Sequence, residues 1–415
     1  MAKILILGSG GREHALVWSL AQEQSHDLVC APGNAGTANI ATNIAVDVND
    51  HNSLLKLVEK EGINLTVVGP EAPLAVGIVD RLQTEELRIF GPSQAAAQLE
   101  SSKLFARDFM REVGIPHPDY RACRSKAKAQ AAVRDMGLPI VLKADGLAAG
   151  KGVIICQTQA DVDDALDLYF DQRAFGEAGL ALSVEQCLSG PEMSVFALCD
   201  GESFVIIGTA QDYKRAYDGD LGPNTGGMGS IAPSPLATSE FVDEIAETVL
   251  KPAVDGMKAR GCPYIGCLYA GLMIADGRPY VIEFNVRMGD PESQVVLPLL
   301  ETPLSELVEQ ALSGGLPDSV NTKPGAAVCV VVASEGYPGE YEKGKPITGL
   351  ERLDEDIIVY HAGTADRDGQ LVSAGGRVLN VVGMGETIAA AAARVYENIP
   401  RIDFPGSFYR KDIGG

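Results

Sequence analysis

Residues 143–153 read Lys-Ala-Asp-Gly-Leu-Ala-Ala-Gly-Lys-Gly-Val and connect two short apolar runs, 139–143 and 152–156. Each run has the length and β-branched content of a strand, so the sequence predicts a hairpin with a Gly-rich turn. The turn is not a Walker A loop, because only three residues separate its first Gly from Gly-Lys, and a strand follows instead of Ser or Thr and a helix. The amides of such a loop can fold over a polyphosphate, with the Lys143 ammonium on the same phosphates. The alternative is a solvated hairpin that carries two surface lysines.

Strand and helix patterns alternate on the N-terminal side of this hairpin. The run Lys3-Ile-Leu-Ile-Leu7 is followed by a Gly-rich turn and a helical pattern at 14–21, and further apolar runs end at Cys30, Val68 and Phe90. Alternating strands and helices are typical of an open parallel sheet, whose ligands lie at the carboxyl ends of its strands. The sequence therefore predicts an α/β domain at residues 1–101, followed by a helix over 95–113.

The turn after the first run, Gly8-Ser-Gly-Gly-Arg-Glu13, partly matches the GxGxxG pattern of dinucleotide-binding sites. Its last position is Glu13, where close packing favours Gly or Ala, and no acidic residue ends the second strand to hold a ribose. These departures argue against NAD. Amides at a helix N-terminus and the Arg12 guanidinium suit a single phosphate, and a bare tight turn is the alternative.

The remainder of the chain is rich in strand patterns. These patterns run from about 181 to 285 around a helix over 239–260, and after Leu316-Pro317 they continue at 326–333, 357–360 and 377–382 with one Ala-rich helix. We predict a central domain at 102–320 with a smaller subdomain at about 120–188, and a β-rich C-terminal domain at 321–415.

Three polar residues alternate with apolar ones near the end of the central domain: Glu283, Asn285 and Arg287. On a strand, side chains at i, i+2 and i+4 share one face. Carboxylate and amide oxygens are hard ligands suited to Mg²⁺, and a guanidinium suits a phosphoryl or carboxylate group. An exposed sheet surface has the same pattern, so the metal assignment depends on the phosphate loop beside it.

Glycine is concentrated at 222–229, Gly-Pro-Asn-Thr-Gly-Gly-Met-Gly, soon after Gln211-Asp-Tyr-Lys-Arg215. This composition suggests a backbone-lined pocket for a small molecule, with Asp212 able to meet an amine. An Ω-loop without a ligand is the alternative.

Composition excludes several classes of protein. The 415 residues include 56 Asp and Glu against 34 Lys and Arg, and the net charge of −22 argues against a nucleic-acid or anionic-membrane surface. No apolar run approaches the roughly 20 residues of a spanning helix, and no leader pattern opens the chain. The eight cysteines form no CxxC pair and lie mostly singly in apolar contexts, as at Cys30, Cys156, Cys199 and Cys329. We predict a cytoplasmic protein without disulfides.

Taken together, these segments resemble the phosphoribosylamine–glycine ligase family of the ATP-grasp superfamily. The similar strings occur in the family's order and span nearly the whole chain: GSGGREHA from Gly8, APGNAGT from Ala31, VGPEAPL from Val68, KADGLAAGKGV from Lys143, GPNTGGMG from Gly222, EFNVRMGDPE from Glu283, HAGT from His361, GGRVL from Gly375 and YRKDIG from Tyr409. The resemblance implies an α/β chain with an N-terminal open parallel sheet, a central ATP-grasp fold with a mobile lid subdomain, and a small β-rich C-terminal domain.

The activity that the resemblance implies is ATP- and Mg²⁺-dependent ligation of glycine to 5-phosphoribosylamine, with Mn²⁺ as an alternative ion. Glycine would be activated as a glycyl phosphate, and the products would be glycinamide ribonucleotide, ADP and phosphate. We therefore expect small-molecule substrates, no nucleic-acid or membrane partner, and a monomer or homodimer. The alternatives are another ATP-grasp carboxylate–amine ligase and a non-catalytic nucleotide-binding regulator.

Residue by residue, the resemblance assigns catalytic roles to Arg287, Asp212 and Lys143, and the metal to Glu283 and Asn285. The ATP phosphates would be held by Lys103 and Lys143 under a lid that contains Gly146, Gly150, Lys151 and Gly152. The adenine would lie against the hinge Glu185, Gln186, Cys187 and Leu188, with the ribose on Glu192. The substrates would be held by Gly10, Gly11, Arg12, Glu13, Asn34, Gly36, Pro70, Glu71, Asp212, Asn224, Thr225, Gly226, Gly227, Arg287, Gly289 and Asp290.

Two positions depart from the family pattern. The hinge, commonly Glu-Glu-Phe-Leu, reads Glu185-Gln-Cys-Leu188 here, which replaces an aromatic wall with a thiol and bears on nucleotide affinity. Many ATP-grasp enzymes also carry a metal-binding acid on the strand before the Glu-x-Asn pair, and residues 268–274 contain none. The number of metal ions stays open.

Overall fold

The computed structural model describes residues 2–147 and 152–415, so the predicted lid residues Gly150 and Lys151 lie outside the described residues. The strands are β1 (Ala2–Gly8), β2 (His26–Pro32), β3 (Thr42–Asn43), β4 (Leu65–Val68), β5 (Ile89–Phe90), β6 (Tyr120–Cys123), β7 (Ile140–Ala144), β8 (Val153–Cys156), β9 (Leu182–Gln186), β10 (Glu192–Asp200), β11 (Phe204–Asp212), β12 (Arg215–Tyr217), β13 (Leu221–Asn224), β14 (Gly229–Ala232), β15 (Ile265–Ala275), β16 (Arg278–Asn285), β17 (Ala326–Ser334), β18 (Ile358–His361), β19 (Thr364–Arg367), β20 (Gln370–Ser373), β21 (Arg377–Gly385) and β22 (Ser407–Phe408). The α-helices are α1 (Gly11–Gln22), α2 (His51–Glu61), α3 (Glu71–Ala75), α4 (Ile78–Gln83), α5 (Gln98–Ser101), α6 (Lys103–Val113), α7 (Lys126–Met136), α8 (Gln159–Leu166), α9 (Ser239–Ile245), α10 (Lys251–Ala259), α11 (Ser293–Leu299), α12 (Leu304–Ser313) and α13 (Ile388–Asn398).

The N-terminal sheet has five parallel strands in the order β3-β2-β1-β4-β5, which confirms the predicted open parallel sheet. Strand β1 is apolar from Ile4 to Leu7 and lies in the middle, where Leu5 and Leu7 are fully buried. Because the strands are parallel, the loops after β1, β2 and β4 meet at one edge of the sheet. These loops contain the predicted substrate residues.

The subdomain between α6 and β10 is built on a four-stranded antiparallel sheet in the order β6-β9-β7-β8. Strands β7 and β8 are antiparallel neighbours with Lys143 opposite Val153, so the two strands that flank the Gly-rich segment pair as the predicted hairpin requires. Helices α7 and α8 cover this sheet. The apolar side chains buried between the helices and the sheet come from segments between Cys123 and Val184.

One antiparallel sheet joins the central and C-terminal parts of the chain. Its order is β16-β15-β10-β11-β14-β17-β21-β18, and β22 adds to β17. Strand β14 links the two halves, because it pairs with β11 on one side and with β17 on the other. The strand that carries the predicted metal ligands therefore belongs to the same sheet as the GGRVL segment of β21.

Two predicted elements are shorter in the structure. The helix expected over 95–113 breaks at Ser102, whose backbone is extended and whose hydroxyl caps the amide of Phe105. The strand expected to reach Arg287 ends at Asn285, because the Val286 amide donates to the carboxylate of Glu100 instead of a strand partner. Glu283 and Asn285 therefore lie on β16, and Arg287 follows it.

All eight cysteines are free, in agreement with the sequence prediction. No helix in the described part of the chain combines the length and apolar character that a bilayer-crossing helix requires.

Candidate active site

A cavity of about 480 Å³ lies where the N-terminal loops, the hinge, β11, β16 and β21 meet. Most of the predicted site residues line it: Arg12, Glu71, Lys103, Lys143, Gly146, Gly152, Glu185, Gln186, Cys187, Leu188, Glu192, Asp212, Asn224, Thr225, Gly226, Glu283, Asn285, Arg287 and Asp290. The predicted residues outside this lining are Gly10, Gly11, Glu13, Asn34, Gly36, Pro70, Gly227 and Gly289. Among the lining residues that the sequence did not indicate are Glu100, Lys214, Tyr269, Glu292 and Arg377.

Lys143 is held by groups from two strands. Its Nζ donates to the carbonyl of Ile282 (2.7 Å) and lies 3.2 Å from Oε2 of Glu185. The pairing of β15 with β16 shifts register at this point, so Ile282 has no paired residue on β15. Its carbonyl is therefore left to accept hydrogen bonds from side chains. Burial lowers the pKa of Lys143, and the Glu185 carboxylate opposes this shift.

Glu185 is a buried counter-ion, although its backbone belongs to the predicted adenine hinge. Both of its oxygens accept from the Arg107 guanidinium, at 2.9 and 2.7 Å. Burial would raise the pKa of this carboxyl, but the charges of Lys143 and Arg107 lower it to about 2. The side chain of Glu185 therefore positions Lys143, and the hinge presents its following residues to the cavity.

The hinge faces apolar side chains from the surrounding strands. Val141, Ile155, Met273 and Ile282 line the same cavity as Cys187 and Leu188. Such walls suit a flat aromatic ring. In the sequence these residues look like ordinary core positions, because nothing local distinguishes an apolar pocket wall from a buried strand face.

Glu283 and Asn285 are the candidate metal ligands. Burial opposes the charge of Glu283, yet the ammonium groups of Lys214, Lys103 and Lys143 lower its pKa to about 2. Among the described side chains, no cluster of three His, Cys, Asp or Glu has the arrangement of a complete metal site. One ionised carboxylate and one amide oxygen fit a Mg²⁺ ion that takes its other ligands from phosphate and water.

Lys214 lies between two acidic residues of the cavity, Glu192 of the predicted ribose site and Asp212 of the predicted substrate site. Its ammonium forms an ion pair with Glu192 and lies 3.8 Å from Oδ2 of Asp212. The pKa of Lys214 is raised well above its usual value by Asp212 and Glu192, although burial opposes this. Burial raises the pKa of Asp212, and the neighbouring Glu292 carboxylate adds to the effect.

Arg287 reaches back to the N-terminal part of the chain. Its Nε lies 3.3 Å from Oε2 of Glu71, and its Nη2 donates to Oε1 of Glu100 at 2.8 Å. Although burial disfavours the charge, these two carboxylates raise the pKa of Arg287 and keep it cationic. A guanidinium held in this way can meet an acyl phosphate or a carboxylate in the cavity.

Glu13 shapes the first Gly-rich loop. Its carboxylate accepts from the Gly10 amide and from Nε of Arg12, both at 2.5 Å. A Cβ on Gly69 would lie 2.3 Å from Oε1 of Glu13, so the carboxylate occupies space that only glycine leaves. The Glu at this position therefore braces the loop and orients Arg12, which lines the cavity.

Asn34 and Gly36 connect the N-terminal and C-terminal parts. Nδ2 of Asn34 donates to the carbonyls of Ser9 (2.8 Å) and His361 (2.9 Å). A Cβ on Gly36 would lie 2.4 Å from the ring of His14 and 2.5 Å from that of His361. These residues therefore hold the substrate loops against the HAGT segment.

Arg377 gathers two of the loops that were predicted to hold substrate. Its Nη1 donates to the carbonyls of Gly226 (2.6 Å) and Asp290 (2.8 Å), and its Nη2 lies 3.3 Å from Oδ2 of Asp290. Burial opposes the charge of Asp290, but Arg377 and Arg12 hold its pKa below the usual value. In the sequence, Arg377 belongs to a string shared with the family, but no local feature indicates that it lines a cavity.

Comparison with known proteins accounts for this arrangement. Three family models of phosphoribosylglycinamide synthetase match in chain order: the N domain at 2–100, the ATP-grasp (A) domain at 101–293 and the C domain at 327–415. The chain belongs to the phosphoribosylglycinamide synthetase family. This membership confirms the resemblance found in the sequence.

Relatives of this family match over nearly their whole length. The phosphoribosylamine–glycine ligase of Rhodopirellula baltica is 46% identical, over 99% of this chain and 96% of the relative. That of Brucella melitensis is 47% identical, over 99% and 97%. The crystal structure of phosphoribosylamine–glycine ligase from Thermotoga maritima has a TM-score of 0.87 at 37% identity, with 99% of this chain and 100% of that chain covered.

The fold extends beyond the phosphoribosylglycinamide synthetase family. The crystal structure of a biotin carboxylase–β-γ-ATP complex from Campylobacter jejuni has a TM-score of 0.76 at 17% identity, with 98% of this chain and 92% of that chain covered. At this identity the likeness is one of fold only. The predicted ATP-grasp domain is confirmed by the family model that matches residues 101–293.

Proposed function

We propose that this chain is an ATP-dependent carbon–nitrogen ligase that joins glycine to 5-phosphoribosylamine in purine biosynthesis. Glycine is activated as a glycyl phosphate, and the products are glycinamide ribonucleotide, ADP and phosphate. The metal is Mg²⁺, with Mn²⁺ as an alternative ion. The protein works in the cytoplasm as a monomer or homodimer, with domains at 1–101, 102–320 and 321–415 and a lid at about 120–188.

The observation that carries the proposal is the convergence of three kinds of group on one cavity. The first set is Lys103 and Lys143 together with the hinge, the second is Glu283 and Asn285, and the third is Arg12 and Asp290. The first set suits a nucleotide triphosphate, the second a divalent cation, and the third a phosphorylated amine. An enzyme that transfers a phosphoryl group to a carboxylate and then an acyl group to an amine needs all three within reach of one another.

In the first step, a carboxylate oxygen of glycine attacks the γ-phosphorus of ATP, and the bond between that phosphorus and the β–γ bridging oxygen breaks. Lys103 and Lys143 hold the phosphates and neutralise their charge, while Arg287 faces the carboxylate that is activated. When bound by Glu283 and Asn285, Mg²⁺ supplies charge neutralisation and orientation of the phosphoryl oxygens. Because phosphate leaves from the substrate itself, no protein nucleophile is required.

In the second step, the amine of phosphoribosylamine attacks the carbonyl of glycyl phosphate. The C–N bond forms, the C–O bond to phosphate breaks, and the amine loses a proton. The N-terminal loops bring Arg12 and Glu71 to the cavity, and Arg377 holds Asp290 and the 222–229 loop beside them. These groups orient the second substrate.

Phosphate release from ATP tests the proposal. The purified protein is assayed with ATP and Mg²⁺, with and without glycine and freshly generated phosphoribosylamine. Rapid release that needs both substrates is expected. Release with a different carboxylic acid in place of glycine would indicate another carboxylate–amine ligase, and nucleotide binding without any release would indicate a non-catalytic regulator.

A further inference from the structure

We propose that Glu292 accepts the proton that the attacking amine loses in the second step. The inference rests on the proposed function, because it assigns a residue to one step of that reaction. Glu292 is 4% exposed, lines the cavity and precedes helix α11. It lies two residues after Asp290, on the side of the cavity where phosphoribosylamine is proposed to bind.

One oxygen of Glu292 is held by a neighbouring tyrosine, and no side chain in the described part of the chain binds the second oxygen. Oε1 accepts from the hydroxyl of Tyr269 at 2.9 Å, and that hydroxyl also shares a hydrogen bond of 2.9 Å with Oγ of Ser194. The backbone amide of Glu292 itself also bonds to the carboxylate, but no other described residue donates a hydrogen bond to Oε2, and a Cβ on Gly289 would lie 2.5 Å from that oxygen. The glycine thus leaves room for a carboxylate that Tyr269 holds in place.

Most other carboxylates of the cavity are already committed to cations or amides. Glu71 pairs with Arg287, Glu100 with Arg287 and the Val286 amide, and Glu185 with Arg107 and Lys143. Glu192 pairs with Lys214, and Asp290 with Arg377 and Gln294. Glu283 is the proposed metal ligand.

Asp212 is the remaining carboxylate, and it is a neighbour of Glu292 that differs from it in having a cation beside it. It lies beside the Lys214 ammonium, which also pairs with Glu192 on the nucleotide side of the cavity. Asp212 therefore has an ammonium group within ion-pair distance, whereas Glu292 forms no ion pair among the described residues, so Glu292 is the carboxylate left to take a proton.

The charges around Glu292 are mixed and come from every element packed against it. The titratable groups are Asp212 and Lys214 from β11 and its following loop, Tyr269 from β15, Arg287 after β16, Cys329 from β17 and Arg377 from β21. Burial raises the pKa of Glu292, which makes the carboxylate a better proton acceptor than an exposed glutamate.

The amine nitrogen forms the bond to the glycyl carbon, phosphate leaves with the electron pair of the C–O bond, and the nitrogen proton passes to Oε2 of Glu292. The carboxylic acid then returns the proton to solvent as the product leaves.

Glu292→Gln tests the assignment, because it keeps the shape of the side chain and an acceptor for Tyr269 while removing the base. Hydroxylamine traps acyl phosphates without enzymatic assistance. An assay with glycine, ATP, Mg²⁺ and hydroxylamine therefore measures the first step alone, as the amount of glycyl hydroxamate formed. Glycinamide ribonucleotide formation reports both steps. The matched control is Glu301→Gln, which removes the same charge from an exposed position on the same segment.

We expect the variant to form hydroxamate within about threefold of wild type and to form glycinamide ribonucleotide about 100-fold or more slowly. The rate of glycinamide ribonucleotide formation by wild type should fall at low pH, as Glu292 is protonated. We expect the remaining rate of the variant to lack this fall. Equal loss of both products, or glycinamide ribonucleotide formation near the wild-type rate, would overturn the assignment. If wild type itself forms neither product, the proposed function fails instead.

Discussion

Oε1 of Glu100 accepts a hydrogen bond of 2.8 Å from Nη2 of Arg287, across 187 residues of sequence. The other oxygen of Glu100 accepts from the Val286 amide, also at 2.8 Å. A single buried carboxylate therefore ends strand β16 and aims the guanidinium that follows it. Burial raises the pKa of Glu100, and Arg287 opposes that shift.

Glu100→Gln is expected to lower kcat/KM by about 10- to 100-fold, because Arg287 keeps only Glu71 as an anionic partner and loses its orientation. The free energy of unfolding should fall by roughly 1–3 kcal/mol, since a buried charge is left less well paired. Steady-state kinetics and urea unfolding measure both effects. The control Glu309→Gln breaks the exposed pair with Arg88 and should cost no more than about 1 kcal/mol. Equal effects of the two substitutions would contradict the role of Glu100.

Glu283→Gln is expected to lower turnover by about 100- to 1000-fold, because the amide replaces the charged ligand of the proposed metal. The rate should need a higher Mg²⁺ concentration, while the melting temperature stays near that of wild type. The control is Asp276→Asn, at the exposed turn between β15 and β16, where the left-handed backbone (φ 50°) tolerates Asn. Turnover of Glu283→Gln at the wild-type rate would exclude this metal assignment.

The stability of the protein should fall as the pH drops below neutrality, because His14 and His361 are buried as neutral rings. Burial lowers the pKa of His14 to about 3 and that of His361 to about 4. The unfolded chain binds these protons near pH 6.5 and the folded chain does not, so stability is present above that pH and is lost below it. Each ring should contribute about 1.4 kcal/mol of loss between about pH 7.5 and 5.5.

Unfolding of wild type and His14→Gln at both pH values measures this loss. The variant should show about 1.4 kcal/mol less pH dependence, whatever its absolute stability. The His361 amide donates a hydrogen bond of 2.8 Å to Nδ1 of His14. An unchanged pH dependence would mean that His14 is not buried as a neutral ring in this contact.

Arg377→Lys should weaken the use of phosphoribosylamine although it preserves the charge. A lysine ammonium cannot reach the carbonyls of Gly226 and Asp290 in the planar geometry of a guanidinium. We expect kcat/KM for phosphoribosylamine to fall by about 10- to 100-fold, with the KM for ATP little changed. Arg367→Lys, at an exposed position on β19, serves as the control and should behave as wild type. A selective loss of ATP affinity would contradict the placement of Arg377 on the substrate side.

Motif residues and their surroundings differ in how well the sequence predicted them. Lys143, Glu283 and Asn285 were identified because strand periodicity and side-chain chemistry are local properties. Glu13 was predicted as a ligand of the substrate, and the structure places it as a brace among glycines outside the lining of the cavity. Its partners Gly10 and Arg12 lie within three residues of it in sequence, but the space it fills depends on Gly69, which follows strand β4 much later in the chain.

Lys214, Glu292 and Arg377 could not be assigned from the sequence alone. Each is an ordinary charged residue in its local context, and its role depends on a partner from another strand or domain. Lys214 meets Glu192 across β10 and β11, and Arg377 meets Gly226 through the continuous sheet. Such pairs have no periodic signature, because their spacing along the chain is arbitrary.

By itself, the sequence determined the α/β alternation of the N-terminal sheet, the Gly-rich hairpin, the free cysteines and the family, because these follow from short-range patterns and matching strings. Tertiary structure alone decided which carboxylates are counter-ions and which stay open to the cavity. The physical reason is that the state of a buried charge depends on its distance to other charges and to solvent. For Glu100 and Glu292 those distances are set by chain segments far away in sequence.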